Sequence, residues 1–448
     1  MTQPNYDDHF DAIVVGAGLA GSAAALTMAR DGLDVLVIER GRSPGAKNMF
    51  GGVLYTPTVR ELTDLDGAPL ERYVAERRYG VLTERDETAV SMRPGQWHEE
   101  PHNDSYTVLR ADFDEWFAEQ AQDAGATLVT ETTVTGLLRE GGSDRPTADG
   151  RIVGVETDRP DGTIRAPIVV LAEGANSLVS ERSGLKQRDD RADVAVAAKE
   201  VLKFDKETIE DRFRVRDDAG AAYQYFGTGA VGDAFGGGFI YTNKRTISVG
   251  ITYRIEDAAS GQTPQDTLNT FKQHPAVAPL VADGRVVEYS AHAIPEGGKD
   301  AMPSLVQDGA VIVGDAAGLV FNNGVHLEGT NMAVESGYHA GKAVARALGE
   351  DGSVNHSSLR DYPAALADSF VVKNLEHYAW FHETAAEDRE LLFDRVPKAL
   401  AEAETEYFKM DRTAKEAHAD RAKDRLLDGV GGYIGAAKLA WKYRRMLK

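Results

Sequence analysis

From Ala12 to Ala29 the chain runs 18 residues without a charge. That length suffices for a helix to cross a bilayer. Its internal order argues otherwise, because it opens on a β-branched run (Ile13, Val14, Val15), breaks at Gly16, Gly18 and Gly21, and then turns alanine-rich. The pattern predicts a buried strand over Ala12–Val15, a tight turn and a helix, followed by a second strand at Val35–Ile38. IVVLAEGANSLV, at 168–179, reads as another buried strand that breaks at Glu173-Gly174. GAVIVGDAAGLVFNNGVHLEGTNM, at 309–332, starts as an apolar strand ending in Gly314-Asp315 and later opens a helix through Gly329, Thr330, Asn331 and Met332. Residues 70–105 and 190–295 carry β-like segments with glycine-rich turns, as at Ala221–Gly229 and Val231–Gly238, and Lys244 and Arg245 read as turn residues. Beyond about residue 340 apolar positions recur with helical period among many charges, which predicts helices with one solvated face.

The first of these segments carries chemistry. Gly16-x-Gly18-x-x-Gly21 sits between a strand and a helix, and the next strand ends in Glu39. Gly16 permits a tight turn, Gly18 lets backbone approach a pyrophosphate, and Gly21 lets helix and strand pack closely. The helix start offers N–H groups to the phosphates. Glu39 stands where a carboxylate accepts both hydroxyls of an adenosine ribose, and its charge disfavours a 2′-phosphate. These features suit NAD and FAD equally. The residues beyond Glu39 tip the balance, because an NAD domain would continue with further βα units, whereas this chain departs into Gly45-Ala-Lys-Asn-Met-Phe-Gly-Gly52. Asp315, at a strand end, can bind a ribitol hydroxyl, and the helix start beyond Gly329 can set its positive dipole against the flavin N1 and C2 carbonyl. The cofactor expected is FAD.

Composition narrows the field further. The 448 residues hold 42% hydrophobic and 27% charged side chains, ordinary values for a globular chain of two or three structural units. There is no cysteine, which excludes disulfides, thiolate zinc sites, a cysteine nucleophile and any iron–sulfur cluster held by this chain. With 50 Lys+Arg against 71 Asp+Glu the net charge is −21, so phosphate backbones are repelled and no nucleic-acid partner is expected. The acidity is spread along the chain, which fits either adaptation to a salty, halophilic cytoplasm or an ordinary acidic enzyme. MTQPNYDDHF lacks the pattern of a signal peptide, so the chain reads as cytoplasmic. No GxSxG elbow, HExxH pair or metal-ligand spacing is present, His377 with His382 included, and no catalytic acid or base declares itself.

The strand–glycine–helix unit, the Glu173-Gly174 break and the Gly314-Asp315 segment, in this order, resemble the flavoprotein superfamily of the hydroxybenzoate-hydroxylase type. That resemblance implies an α/β fold. Its Rossmann-like FAD-binding domain, of the glutathione-reductase/hydroxybenzoate-hydroxylase type, would span residues 1–70, 106–190 and 296–345. A substrate-facing antiparallel β domain would occupy 71–105 and 191–295, and a helical region 346–448. It further implies that Arg110, in YTVLRADFDEWF, reaches the flavin from a helix start, and that Val134 lies beside the adenine through its backbone. Ala17, Ala20, Arg40, Asn48, Gly51, Glu173 and Gly174 would also line the cofactor.

GAKNMFGGVLY (45–55), GGGFIYTNKRTISVGITYRI (236–255) and GDAAGLVFNNGVHLEGTNMAVESG (314–337) are similar to the FixC branch of the electron-transfer-flavoprotein:quinone oxidoreductases, over roughly residues 10–430. Membership would make the chain an FAD-dependent enzyme. It would take electrons from a two-subunit, FixA/FixB-like electron-transfer flavoprotein and pass them to a membrane quinone. Larger relatives carry a cysteine-ligated cluster, so here a small FixX-like, ferredoxin-like subunit would supply it. Geranylgeranyl reductases are the rival family. They generally show a cysteine near the loop that reads KNMFGG here and a Tyr-x-Trp-x-Phe-Pro motif, and this chain has neither. A non-catalytic FAD-binding scaffold is the third reading. The last segment, GYIGAAKLAWKYRRMLK at 432–448, places Ala436, Leu439, Ala440, Tyr443 and Leu447 on one helical face beside Lys438, Lys442 and Arg445. Such a helix can lie on an anionic membrane, cap the fold or dock a partner, so the chain could be peripheral on the inner face of the cell membrane.

Overall fold

A computed structural model of the protein describes residues 10–46, 51–140, 150–160, 162–190, 193–258, 261–324, 326–350 and 354–444. The chain forms two compact units, one of residues 1–73, 101–195 and 292–380, the other of 74–100, 196–291 and 381–448. The C-terminal helical stretch is therefore divided between them at Trp380.

In the first unit, strand β1 (Ala12–Val15) pairs in parallel with β2 (Val35–Ile38) on one side and with Ile168–Leu171 on the other, so that Val14 lies level with Val37 and Val170. Thr127–Val129 extends the sheet beyond β2, and Ala310–Ile312 with the antiparallel Val306–Gln307 extends it beyond Ile168–Leu171. Every residue of the three central strands is buried, which is why they read as unbroken apolar runs rather than as alternation. Helix α1 (Leu19–Arg30) is buried from Leu19 through Ala29. It packs against the Arg110–Asp123 and Thr330–Glu350 helices. Small residues allow this approach. A Cβ on Gly337 would stand 2.1 Å from the Ala20 carbonyl oxygen, and one on Gly341 would stand 2.8 Å from Thr27 Cβ. The uncharged stretch is thus internal core. Among the described residues no helix is long and apolar enough to cross a membrane.

The second unit is built on an antiparallel meander of Ala219–Phe226, Gly236–Thr242 and Thr246–Arg254. The Pro264–Gln273 helix begins in a capping box, in which Thr263 Oγ1 accepts from the Asp266 amide and the Asp266 carboxylate accepts from the Thr263 amide. Phe271 of this helix lies where a Cβ on Gly238 would be, 2.5 Å from the ring. The other face of the sheet, set by the register Gln224–Phe239–Gly250, is lined by Gln224, Phe239 and Tyr241, with the latter two rings stacked 5.0 Å apart. Lys244 and Arg245 lie in the turn closed by the Asn243 amide donating to Thr246 O. The Val396–Tyr407 and Lys415–Gly429 helices run antiparallel, with Gly429 against Ala399, Arg425 paired to Glu402, and Arg421 to Glu406. The final helix, Gly432–Lys442, turns Tyr443 and Lys442 toward Asp388 (3.0 and 2.8 Å) and leaves Tyr433, Ile434 and Trp441 exposed. Arg445 and Leu447 lie outside the described residues.

Candidate cofactor site

The turn between β1 and α1 is a backbone-lined cradle. Gly16 has φ +101°, and a Cβ there would meet the Ala172 carbonyl oxygen at 2.4 Å, while one on Gly21 would meet the Gly16 carbonyl oxygen at 1.9 Å. Neither position admits a side chain. Gly18 precedes the helix in extended conformation, and no side chain caps the first turn of α1. The helix start is therefore available to an anion.

Glu39, at the end of β2, is buried and its carboxylate is held by two backbone amides. Ala17 N–H donates to Oε2 at 3.0 Å and Gly41 N–H donates to Oε1 at 2.6 Å. Each oxygen keeps a lone pair for a hydroxyl. The Thr132 amide donates to the Glu39 carbonyl at 3.0 Å, which brings the segment leading to buried Val134 alongside β2. Arg40 is exposed, and burial, aided by the Arg40 charge, holds the His292 imidazole below its usual range.

The other predicted pieces converge from far along the chain. Gly314 wedges between α1 and the Thr330–Glu350 helix, where a Cβ would be 2.9 Å from Ala20 Cβ, and its amide donates to Ser336 Oγ. Asp315 Oδ1 lies 3.6 Å from where a Gly329 Cβ would be, so its carboxyl faces the helix start. Burial pushes that carboxyl above its usual range, against the opposing pull of Arg110 and Lys186. Arg110 is clamped by Asp114 through two bonds, Nε–Oδ1 at 2.5 Å and Nη2–Oδ2 at 2.8 Å, with the Asp114 side chain wholly buried. Gly51 heads a strand paired to Ser105–Leu109 and lies opposite Leu109, one residue before Arg110. Thr330 is half-buried and Met332 fully buried. Asn331 donates to Glu328, while its own Oδ1 is buried with no partner.

Glu173 spends its carboxylate on the Leu178–Arg182 helix, accepting from the Val179 amide at 2.7 Å, the Ser180 amide at 3.0 Å and the Ser180 hydroxyl. Gly174 follows it with φ +71°. Asn48 lies outside the described residues. Three residues that sequence pattern does not single out bear on the predicted ones: Asp114 is bonded to Arg110, the charge of Lys186 acts on Asp315, and that of Arg40 acts on His292. Only Asp114 left a local trace, four residues after Arg110 on one helix face.

The residues present fit FAD. The glycine cradle and uncapped helix suit a pyrophosphate, Glu39 a ribose, Asp315 a ribityl hydroxyl, and the orphaned Asn331 oxygen a donor from a bound ring.

Comparisons with known proteins agree. A family model described as FAD dependent oxidoreductase matches residues 11–224, and one described as ETF-QO, ubiquinone-binding matches 195–294. Protein FixC of Bradyrhizobium diazoefficiens is 43% identical over 412 residues, 91% of this chain and 92% of its own length. Protein FixC of Escherichia coli K12 is 40% identical, covering 92% and 93%. A probable electron transfer flavoprotein-quinone oxidoreductase of the same organism is 41% identical, covering 90% and 92%. Among solved structures, a geranylgeranyl bacteriochlorophyll reductase-like protein of Thermoplasma acidophilum superposes with TM-score 0.69 over 98% of this chain and 97% of its own, at 19% identity. At that identity the likeness concerns the fold alone.

Proposed function

The chain belongs to the FixC family of FAD-dependent oxidoreductases, and from that membership we propose that it carries electrons from an electron-transfer flavoprotein to a quinone. It does so as the FixC-like subunit of a complex with a two-subunit FixA/FixB-like flavoprotein and a separate FixX-like iron–sulfur subunit. The carrying observation is the ubiquinone-binding match over residues 195–294 in a chain whose preceding part matches FAD oxidoreductases. The chain's lack of cysteine requires any cluster to sit on another subunit.

FAD, when bound, supplies the electron exchange itself. The protein's part is to hold, orient and screen. Glu39 accepts the ribose hydroxyls, and the amides of Gly18 through Gly21 receive the pyrophosphate. Asp315 binds the ribityl chain. The start of the Thr330–Glu350 helix sets its positive end against one edge of the ring system. Arg110, fixed by Asp114, adds a cation that cannot swing away. For the quinone, the second unit offers the stacked Phe239 and Tyr241 and the buried Thr252 hydroxyl, which has no partner and lies on the same face, opposite Gly237. Aromatic faces suit a quinone ring, and an orphan hydroxyl suits its carbonyl.

The test uses anaerobically reduced holoprotein, offered separately a short-chain quinone and a geranylgeranyl lipid, while oxidised-flavin absorbance is followed. The expected outcome is reoxidation by the quinone only, and electron entry from the partner flavoprotein in the reverse arm. Reoxidation by the lipid with loss of its double bonds would instead assign a geranylgeranyl reductase. A bound flavin that never turns over with quinone would leave a scaffold.

A further inference from the structure

The Arg285–Pro295 strand forms one margin of the large sheet, and Val194–Lys203 is its one strand neighbour among the described residues. Its first part stands clear of the fold. From Arg285 through Tyr289 every residue is exposed, so both faces of the ribbon are open, and Val286, Val287 and Tyr289 show 48%, 46% and 45% of their surface. Among the described residues, the backbone of 285–291 makes no hydrogen bond beyond its own sheet. An open edge is a template for another strand, and folded proteins ordinarily blunt theirs with proline, lysine or brevity. This strand runs 11 residues, contains no lysine and reaches its proline only at the end.

The sequence here is complementary to itself. Two copies of an edge strand pair antiparallel about a two-fold axis normal to the sheet, which keeps each face of one copy level with the same face of the other. With Val287 on that axis, Val287 meets its own copy, Arg285 meets Tyr289 of the second copy, and Val286 meets Glu288. One face then carries a central aliphatic pair flanked at both ends by a guanidinium against a tyrosine ring, a favourable cross-strand set. On the other face the buried Lys199 already lies 3.6 Å from Glu288, so setting that carboxylate beside Val286 strands no charge. Moving the axis to Glu288 would oppose two carboxylates, and moving it to Val286 would lose both Arg285–Tyr289 pairs.

We infer that the Arg285–Ala291 edge is a self-association surface, on which a second copy of this chain pairs antiparallel with Val287 on the two-fold axis and joins the two large sheets. Seven residues span roughly 23 Å. That is a contact at the small end of stable interfaces, which sets a dissociation constant of roughly micromolar order. Arg285 and Glu288 cancel within the edge, but each copy carries −21 overall, so salt should tighten the dimer by screening that repulsion. The inference is independent of the quinone reading and stands or falls apart from it.

The test is sedimentation velocity on the full-length holoprotein from about 1 to about 100 µM, in low and high salt, together with oxidative crosslinking. The chain has no cysteine, so Val287→Cys introduces its one thiol. On the axis that thiol should form a disulfide-linked dimer, whereas Ala291→Cys, held about 27 Å from its copy in this register, should not. Val287→Lys sets two ammonium groups across the axis and should weaken self-association roughly tenfold or more, with flavin absorbance and Tm unchanged because the position is exposed. A monomer at every concentration and salt overturns the proposal, as do equal crosslinking of the two thiol variants and a dimer that Val287→Lys leaves intact. If the wild type is monomeric and Val287→Lys instead fails to assemble with the electron-transfer flavoprotein, the edge receives a different protein and self-pairing is wrong.

Discussion

Two glycine-rich regions of this molecule use the same residue for different ends. In the β1–α1 turn, a Cβ on Gly21 would collide with backbone, the Gly16 carbonyl oxygen at 1.9 Å. In the second unit's sheet, Gly238 and Gly250 make room for the rings of Phe271 and Phe239, with the Ala198 carbonyl oxygen 2.8 Å from a Cβ on Gly250 as well. The first glycines shape a site from within six residues of chain. The second pair shape a packing surface with partners drawn from elsewhere, Phe271 being 33 residues on from Gly238. Backbone cannot yield, whereas a ring can rotate or shift. The difference should appear in mutants.

The largest effect is expected for Gly21→Ala. The clash is with the backbone carbonyl of Gly16, whose own amide is bonded to Ile38 of β2, so we expect a loss of about 4 kcal/mol or more and purification without flavin, checked by denaturant unfolding and absorbance. Next comes Asp114→Ala, which would strand the Arg110 guanidinium in a half-closed site. Breaking a buried pair costs about 3–5 kcal/mol, with the upper part reduced here because Arg110 is 15% exposed. Unfolding with and without excess FAD separates its effect on stability from its effect on flavin affinity. Glu39→Gln should keep the fold, since an amide oxygen can still accept one backbone bond, but weaken FAD by roughly tenfold, read by titrating apoprotein. Gly238→Ala, the counterpart of the first change, should cost only about 1–3 kcal/mol and retain flavin. If it proved as damaging as Gly21→Ala, the contrast between backbone and side-chain neighbours would fail.

The same contrast explains what could be read from the sequence. Gly16, Glu39 and the Gly314-Asp315 pair could be placed because each follows an apolar strand, and Gly18 and Gly21 because they open the helix within five residues of Gly16. The uncharged stretch from Ala12 resolved into strand, turn and helix for the same reason. Lys186 facing Asp315 left no local signal, because their proximity is made by the parallel sheet placing Ile168–Leu171 beside Ala310–Ile312. Glu173 stands out in the sequence by its position after a strand, but that its carboxylate accepts from the Val179 and Ser180 amides at the start of the next helix has no sequence signal. In the C-terminal helices, dense charge reads as a uniform solvated face. The clamp of Glu406, Asp411, His418 and Arg421 is periodic noise in one dimension and a network in three.

That clamp is an intermediate case, with partners 3 to 15 residues apart, and pH tests it. Arg421 and His418 hydrogen-bond the Glu406 carboxylate and pull its pKa down to about 2 from an ordinary 4.5. The Thr413 amide lowers Asp411 as well. For a carboxylate depressed by folding, the stabilisation is fully present above the unfolded value and disappears as pH falls through the folded one. The loop over residues 408–414 should therefore hold its shape at and above pH 4.5 and loosen between 4.5 and about 2. Amide hydrogen exchange at residues 408–414, corrected for its intrinsic pH dependence, should show protection falling over that window. Glu406→Gln should lower protection at neutral pH and flatten the profile. Equal acid sensitivity in the wild type and this variant would remove Glu406 from the clamp, leaving the outward pose of Phe408 and Met410 to the helices alone.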